Sequence, residues 1–454
     1  MYRRHLIIAT GSSIALGSLV GCGGGGGSSD PPAPPPAAAP SAPPAGRLDT
    51  AAVAQWSSTL EETCVQAKAA GVSLYSTGES RVYAAYFAAI HDALNAIDRR
   101  YQPYLADFRS TTANPDAAVA AAAREVLTVL LPAQASFVET RYMQALNTIA
   151  AGTSKDSGIA AGRQAAQAIL AARANDGAAE SQPPYVPSNA PGAYQATPNS
   201  GAPVDVKWGD VRPYAIQNAE QFNATIPGPY PLSTADYAED FRKVLEIGGR
   251  GSTRSADQTS IANFWLENSP PGWNRIASTV AAARQLNGWD QARMYALLHL
   301  SLADALIACL KAKYSLSFWR PITAIRAADA DGNAATALDA TWEQLAGATP
   351  PTPDYPSAHA VAGGAAESAL ISIFGAGSKT SASLPSELDG NPFSVSSPTL
   401  AGQPRTFRGF SHAAKENAES RIYVGFHFPK AVYDGLAQGR AVGDYVVANR
   451  LRPV

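Results

Sequence analysis

Cysteine is scarce in this sequence, with only Cys22, Cys64 and Cys309 among 454 residues. No CxxC motif and no Cys/His cluster has the spacing of zinc ligands, which argues against a zinc site. In an exported protein Cys64 and Cys309 could pair as a disulfide. Because Cys309 lies in an apolar helical run, we expect two buried free thiols instead.

Charge is sparse as well. Charged residues make up 16% of the chain and the formal net charge is −2, so the basic footprint of a nucleic-acid-binding protein is missing. No polybasic run indicates contact with an anionic membrane surface. Hydrophobic residues make up 46%, which is ample for a buried core and excludes a disordered chain. The length suits one large domain or two ordinary ones.

Long apolar runs are missing after residue 22. The most apolar candidate, 358–377, is interrupted by His359, Glu367 and several glycines, so we predict no membrane span in the body of the chain. Alternating valine and threonine, typical of strands, is also rare. The apolar residues recur at helical spacing instead, which predicts an all-α protein.

The N-terminus has the form of a targeting sequence. Two arginines precede a short apolar run, and LVGC at 19–22 resembles the bacterial lipobox, in which the cysteine is lipidated. Residues 22–46 form a Gly-, Pro- and Ala-rich tether. We therefore predict a signal peptide at 1–21 and an exported bacterial lipoprotein, periplasmic or anchored at the outer membrane or cell surface through Cys22. An ordinary cleaved signal with a chance cysteine is the alternative.

Helical patterns fall into two regions. The first, 47–235, is helical and ends in a long irregular connector, and the second, 236–454, is predicted to be a C-terminal helical bundle. Pro132 should divide the helical pattern of 115–152 into two helices. Other predicted helices span 81–100, 154–176, 233–249 with Ser233 as its cap, 255–268 with a capping box of Ser255 and Gln258, and 289–319.

Three short segments of the second region carry residues suited to chemistry. They are KYSLSFWRP at 313–321, PSAH at 356–359 and SRIYVGFH at 420–427. Together they offer three cations, a hydroxyl, the free N–H groups of a helix start and two imidazoles that can act as acid, base, nucleophile or ligand. The side chains concerned are Lys313, Arg320, Ser357, His359, Arg421 and His427.

The spacing of these residues predicts an oxyanion site. Lys313 and Arg320 are seven apart, about two helical turns, so we expect them on one helix face. Arg421 and His427 are six apart, about 120° from a shared face, so only the long arginine side chain lets both reach one point. A helix that starts after Pro356 presents N–H groups to an anion. Three cations in one pocket repel one another unless a multiply charged anion lies among them.

Each segment has a structural alternative when taken alone. A lysine and an arginine at helical spacing are usually a solvated face, a serine before a helix is usually an N-cap, and a lone histidine is usually structural. We interpret His91, His299 and His412 as structural residues. Asp304 could support one of the cations, or it could make a purely structural pairing.

The order of the three motifs resembles a signature shared by vanadium-dependent haloperoxidases and type-2 phosphatidic acid phosphatases: Lys-x6-Arg-Pro, Pro-Ser-Gly-His and Ser-Arg-x5-His. Longer segments, among them LADALIACLKAKYSLSFWRPITAIR, PPTPDYPSAHAVAGGA and ENAESRIYVGFHFPKA, are similar to vanadium chloroperoxidases over about 290–445. IHDALNAI extends the resemblance toward residue 50.

The resemblance implies two helical bundles, with the active site in the C-terminal one, and one vanadate per chain. It implies oxidation of halide by hydrogen peroxide to hypohalous acid. By the same resemblance, Lys313, Arg320 and Arg421 neutralise vanadate oxygens, Ser357 and the N–H of Ala358 bind them, His359 is the acid–base group, and His427 bonds vanadium. Lys313 also helps to polarise the peroxide in this scheme.

Three positions depart from the signature. Ala358 replaces the motif glycine, which is tolerable if its backbone angles are ordinary. Thr352 stands where chloroperoxidases carry an aromatic residue, so bromide or iodide is expected rather than chloride. Ala431 stands where the phosphatases carry Asp, so His427 is expected to lack an orienting carboxylate, which counts against a phosphatase.

Two other functions stay open. One is a soluble exported acid phosphatase that hydrolyses phosphomonoesters with His427 as nucleophile. The other is a non-catalytic surface lipoprotein that keeps the fold as a binding module, although all seven residues of the anion pocket are present. The sequence leaves association into a homodimer open, and a lipidated Cys22 is the only membrane contact expected.

Overall fold

The computed structural model describes residues 48–375 and 389–454. The predicted signal peptide, Cys22 and the tether lie outside the described residues. Within the described residues the prediction of an all-α protein is confirmed: thirteen α-helices make up the fold, and one short antiparallel pair, β1 (Phe393–Val395) and β2 (Arg405–Phe407), accompanies them.

Five helices form the N-terminal part of the fold. They are α1 (Ala52–Ala69), α2 (Ser76–Ile97), α3 (Pro115–Leu130), α4 (Ala135–Asn147) and α5 (Thr153–Arg173). The predicted break at Pro132 is confirmed, because this proline begins a single 3-10 turn between α3 and α4. Asn114 caps α3 by accepting the backbone N–H of Ala117 at 2.9 Å.

Eight helices follow the connector. They are α6 (Ala235–Ile247), α7 (Ala256–Phe264), α8 (Ser269–Ala283), α9 (Gly288–Leu316), α10 (Pro321–Arg326), α11 (Ala358–Phe374), α12 (Phe410–Tyr423) and α13 (Pro429–Asn449). The capping box of Ser255 and Gln258 at α7 is confirmed. The prediction that Ser233 caps α6 was wrong, because the side chain of Thr234 accepts the N–H of Tyr237 there.

Helix α9 is the central helix of the second region. It is long and apolar enough to cross a membrane, but 94% of its most apolar window is buried inside the protein. Helices α2, α11 and α13 pack around it. Its composition therefore reflects a core position, and it carries the buried side chain of Lys313 in its last turn.

Glycines let pairs of helices approach closely in both regions. Gly158 and Gly162 of α5 lie against the backbone of α3, and a Cβ at either position would overlap it. In the second region Gly439 and Gly443 of α13 lie in the same way against α11. Because α11 begins at the PSAH motif, this close packing fixes the position of the motif relative to α13.

The connector is held by a buried carboxylate. Asp304 of α9 accepts the backbone N–H groups of Tyr214, Ala215 and Ile216 at 2.6–2.8 Å. Its hydrogen bonds are therefore structural, and the alternative of a partner for an active-site cation receives no support. Asp92 of α2 accepts three consecutive N–H groups in the same way, those of residues 104–106.

Candidate active site

The corner between α9 and α10 brings Lys313 and Arg320 together. Helix α9 ends at Leu316, and Ser317 follows in the left-handed conformation with φ 47°. Arg320 is then the N-cap residue of α10. The expectation that both side chains share one helix face was therefore wrong: a tight turn between two helices, not helical periodicity, makes them neighbours.

Lys313 is fully buried. Its Nζ donates to the backbone carbonyls of Pro353, at 2.5 Å, and Asp354, at 3.1 Å. Burial, together with the positive charge of Arg320, lowers the pKa of Lys313 to about 7. The charge of Lys313 therefore depends on pH near neutrality, and a bound anion would stabilise the protonated, charged form.

Arg320 links the loop before α11 to the loop before α13. Its Nε donates to the Thr352 carbonyl at 2.8 Å, and Nη2 reaches the Thr352 hydroxyl at 3.1 Å and the Pro350 carbonyl at 3.2 Å. Its Nη1 donates to the Phe426 carbonyl at 2.8 Å. Burial lowers the pKa of Arg320 as well, although the Asp354 carboxyl opposes this shift.

Ser357 occupies the N-cap position of α11 but does not act as a cap. No side-chain capping bond forms there, and its Oγ is a buried atom without a hydrogen-bond partner among the described residues. Leaving a buried hydroxyl unpaired is unfavourable. Its backbone N–H donates to the Ala431 carbonyl at 2.8 Å, which fixes the motif on α13. The structure thus leaves this hydroxyl free to bind a ligand.

Ala358 begins α11 with ordinary helical geometry. It is not among the residues with positive φ, so the replacement of the motif glycine introduces no strain. Its N–H is one of the first of the helix, which no carbonyl of the same helix can accept. The start of α11 therefore presents a backbone donor beside the Ser357 hydroxyl.

Arg421 reaches the site from the last turn of α12. Its Nη2 donates to the Trp265 carbonyl at 2.6 Å and its Nε to the Ser420 hydroxyl at 2.8 Å. Burial, with Arg320 nearby, lowers the pKa of Arg421 to about 9. The chain leaves the helix after Tyr423 and turns at Gly425, so helical geometry does not set the spacing of Arg421 and His427.

His427 is the buried imidazole at the end of that turn. Its Nε2 lies 2.8 Å from Nη1 of Arg320. Because a guanidinium only donates, Nε2 carries the lone pair and Nδ1 carries the proton. Nδ1 lies 3.0 Å from Oδ1 of Asp354. Burial first, and then the surrounding cations, push the pKa of His427 well below its usual value, so the ring is neutral.

The contact with Asp354 overturns one expectation. His427 does have a carboxylate partner, supplied by the loop before α11 and not by position 431 of α13. The signature gives no sign of it, because Asp354 lies between its first and second motifs. A charged residue among the prolines of PPTPDYP was the available signal. Burial raises the pKa of Asp354 to about 7, against the opposing effect of Arg320 and Lys313.

His359 lies in the first turn of α11. Its Nε2 is 3.0 Å from the Glu267 carbonyl, which can only accept, so Nε2 carries the proton and Nδ1 the lone pair. Burial, with Arg421 nearby, lowers the pKa of His359 to about 3. The ring is therefore a neutral, weak base, and an anion bound beside it would offset the charge of Arg421 and raise its pKa.

Sequence reasoning missed the segment that holds both Arg421 and His359. The carbonyls of Trp265 and Glu267, between α7 and α8, accept from these two side chains. The Glu267 carboxylate pairs in turn with Arg275 and accepts the Ser397 hydroxyl. Backbone carbonyls carry no residue-specific signal, so nothing in the sequence marked this segment.

Within the described residues, the other histidines and cysteines lie outside the site. His299 is buried against Asn274 at 3.0 Å, and His91 lies 3.0 Å from Asp92. The expectation of two free, buried thiols at Cys64 and Cys309 is confirmed.

The chemistry of this donor set suits an oxyanion. The site combines three buried cations, an unpaired hydroxyl, a helix start and the Nε2 lone pair of His427, with Asp354 as the carboxylate in contact with that histidine. Among the described residues no group of three or more His, Cys, Asp and Glu is arranged to hold a metal cation. Vanadate, an oxyanion that takes a nitrogen ligand, fits these residues: the arginines, the lysine and Ser357 would meet its oxygens, and Nε2 its metal.

Comparisons with known sequences point to one family. The family model described as the VCPO second helical-bundle domain matches residues 293–453, which include Lys313 and His427. The vanadium chloroperoxidase of Curvularia inaequalis is 29% identical over 271 aligned residues, covering 47% of this chain and 44% of that enzyme. The aligned part therefore spans less than half the length of this curated relative.

Solved structures show the same fold. The first bacterial vanadium-dependent iodoperoxidase superposes with a TM-score of 0.75 at 23% identity, covering 90% of this chain and 98% of that one. A holo-type bacterial vanadium-dependent chloroperoxidase gives a TM-score of 0.62 at 18% identity, covering 90% and 96%. The likeness concerns the whole described fold and not the second bundle alone.

Proposed function

The chain has the vanadium haloperoxidase fold and carries the VCPO second helical-bundle domain, and from that premise we propose that it is a vanadate-dependent haloperoxidase. It would oxidise halide with hydrogen peroxide to hypohalous acid. The main observation behind the proposal is that Nε2 of His427 is unprotonated and lies 2.8 Å from Arg320, one of three buried cations of the site.

Seven residues would hold one vanadate per chain. His427 would supply the nitrogen ligand, and the other six would bind or face the oxygens: Lys313, Arg320, Ser357, Ala358, His359 and Arg421. When bound, vanadate activates hydrogen peroxide toward attack by halide. The cations stabilise negative charge in a site from which water is largely excluded, where such interactions are strongest.

His359 and Lys313 are the proposed proton-handling groups. With Nε2–H committed to the Glu267 carbonyl, Nδ1 is the atom of His359 that would hold or pass on a proton, once a bound anion offsets the cations that lower its pKa. Lys313, with its pKa near 7, can stabilise negative charge and release a proton within the neutral range.

Bromide or iodide is the proposed halide. Thr352 stands at the position of the chloroperoxidase aromatic residue, and its hydroxyl accepts from Arg320 at 3.1 Å. Threonine offers a much smaller apolar surface there than an aromatic ring would. The proposed cellular place, an exported lipoprotein attached only through Cys22, is supported by the sequence of 1–46.

The test is a pair of assays on one preparation. The protein is purified without phosphate, loaded with orthovanadate and assayed for peroxide-dependent oxidation of bromide and iodide. His427→Ala should abolish the activity, whereas His412→Asn, a histidine outside the site, should retain it. Vanadate-dependent oxidation in wild type that His427→Ala abolishes supports the proposal. Wild-type protein that binds vanadate but oxidises no halide would overturn it.

One observation favours a second candidate function, phosphomonoester hydrolysis by the vanadate-free protein. The contact between Asp354 and Nδ1 of His427 gives the imidazole the orienting carboxylate that a histidine nucleophile needs. The sequence-based objection from Ala431 therefore falls away. Hydrolysis of a phosphomonoester that vanadate blocks, without any halide oxidation, would select this function.

A further inference from the structure

Asp354 contacts Nδ1 of His427, the ring nitrogen that Arg320 does not contact. Its Oδ1 lies 3.0 Å from Nδ1, and both side chains are almost completely buried. The two atoms are in contact but do not have the geometry of a hydrogen bond in this structure. A buried carboxylate in this position favours the proton on Nδ1 and raises the basicity of Nε2.

The loop that carries Asp354 is fixed at several points. The Asp354 N–H donates to the Phe318 carbonyl at 2.9 Å. Its own carbonyl accepts from Lys313, and the neighbouring Pro353 carbonyl accepts from the same ammonium. The carboxylate is therefore held by the corner between α9 and α10, the corner that also places Arg320.

Asp354 and Ala431 line the same small cavity, of about 10 Å³, which is about what one water molecule needs. In the phosphatase signature, position 431 is the one that carries the carboxylate, four residues after the histidine. Here α13 has a methyl group at that position, and the carboxylate comes from the facing loop. Exchanging the two residues would leave the total side-chain volume unchanged.

We infer that Asp354 is the positioning residue for His427. Its carboxylate, on the loop before α11, takes the place of the carboxylate that α13 lacks because position 431 is alanine. Its role is to hold the imidazole with Nε2 unprotonated and aimed at the oxyanion. The inference rests on the proposed function only in taking vanadate as the ligand; the orientation of the ring can be tested without it.

The binding test measures vanadate affinity by isothermal titration calorimetry on full-length protein. Loss of an orienting partner of a metal-ligating histidine typically weakens affinity roughly 10–100-fold, and Asp354→Ala should fall in that range. Asp354→Asn, which keeps an oxygen near Nδ1, should lose less. The double variant Asp354→Ala/Ala431→Asp should recover most of the affinity. Asp240→Asn, which changes another carboxylate of the same cavity that does not contact His427, is the control.

The two failures are distinguishable. If wild type and Asp354→Ala bind vanadate equally well, this inference is overturned and the proposed function stays intact. Wild type that binds no vanadate would overturn the proposed function. In that case nitrogen NMR of histidine-labelled wild type and Asp354→Asn, with His427→Ala for assignment, decides on the inference: Nε2–H that gains population only in Asp354→Asn supports it, and an identical tautomer in both proteins refutes it. The NMR result also stands if Asp354→Ala fails to fold.

Discussion

Arg320 donates a hydrogen bond to the imidazole of His427, with 2.8 Å between Nη1 and Nε2. The same guanidinium binds carbonyls of two separate loops, at Thr352 and Phe426. Arg320 therefore has two roles, as a charge for the ligand and as the connection between the halves of the site. The two roles can be separated, because lysine keeps the charge but not the planar fork.

Arg320→Lys should weaken vanadate binding and lower stability together. A lysine cannot replace the bonds to both loops, and each hydrogen bond to a charged group contributes about 1.5–3 kcal/mol. We expect at least a tenfold loss of affinity by calorimetry and a lower midpoint in urea. Arg326→Lys at the other end of α10, where the guanidinium donates to the Trp342 carbonyl at 2.8 Å and lies 3.8 Å from the Glu343 carboxylate without joining two loops of the site, should change little. An unchanged affinity for vanadate in Arg320→Lys would refute the role given to the planar guanidinium of Arg320.

Oxyanion binding should weaken as pH rises through about 7. Charged Lys313 attracts the anion, and above its pKa of about 7 it is neutral. Asp354, with a pKa also raised to about 7, becomes negative over the same range, so both titrations have the same sign. The affinity for sulfate, whose charge is constant here, should be flat below pH 6 and fall above pH 7. Lys313→Arg keeps its charge and should reduce the slope; an affinity that rises with pH would contradict this assignment.

Ser357→Ala should separate ligand binding from stability. An ordinary N-cap serine loses about 1 kcal/mol of stability when replaced by alanine, and Ser255, which forms a true capping box, should show that loss. The Ser357 hydroxyl has no partner to lose among the described residues, so its removal should leave unfolding by urea unchanged or slightly harder. Vanadate affinity should nevertheless drop about tenfold, the value of one hydrogen bond to a charged group. A stability loss equal to that of Ser255→Ala would restore the capping interpretation.

Gly439→Ala should disturb the site from a distance. A Cβ at Gly439 would overlap the Val361 carbonyl of α11, so the two helices must separate. Overpacking of this kind costs about 1–3 kcal/mol or more, and it would shift the start of α11 with Ser357. Gly363→Ala, where the nearest atom would lie at 3.4 Å, is the matched control and should be tolerated. Urea unfolding and vanadate titration of the two variants decide the matter.

The helices and the chemical groups were predictable because both leave local signals. Apolar periodicity marked the helices, prolines and caps marked several of their ends, and three short motifs contained all seven site residues. Ser317 shows where local signals fail: a serine in the left-handed conformation ends α9, although glycine is the usual residue there. The apolar pattern continues past Ser317 in the sequence, so the prediction placed Lys313 and Arg320 on one helix, which was wrong.

Asp354 and the carbonyl of Glu267 were unpredictable for a different reason. Each acts through a partner far along the chain, 73 residues away for Asp354 and 92 for Glu267. Spacing rules describe neighbours on one helix, whereas these contacts depend on how four separate segments are packed. Only the three-dimensional arrangement shows that a loop has supplied the carboxylate.

Asp304 also bears on the order in which the chain can be assembled. The backbone groups that it binds, at 214–216, precede it by 88–90 residues. During synthesis these N–H groups emerge well before the carboxylate that holds them. The connector therefore gains this anchor only once α9 has been synthesised. Residues 214–216 cannot reach their native hydrogen bonds before the helix that carries Lys313 is present.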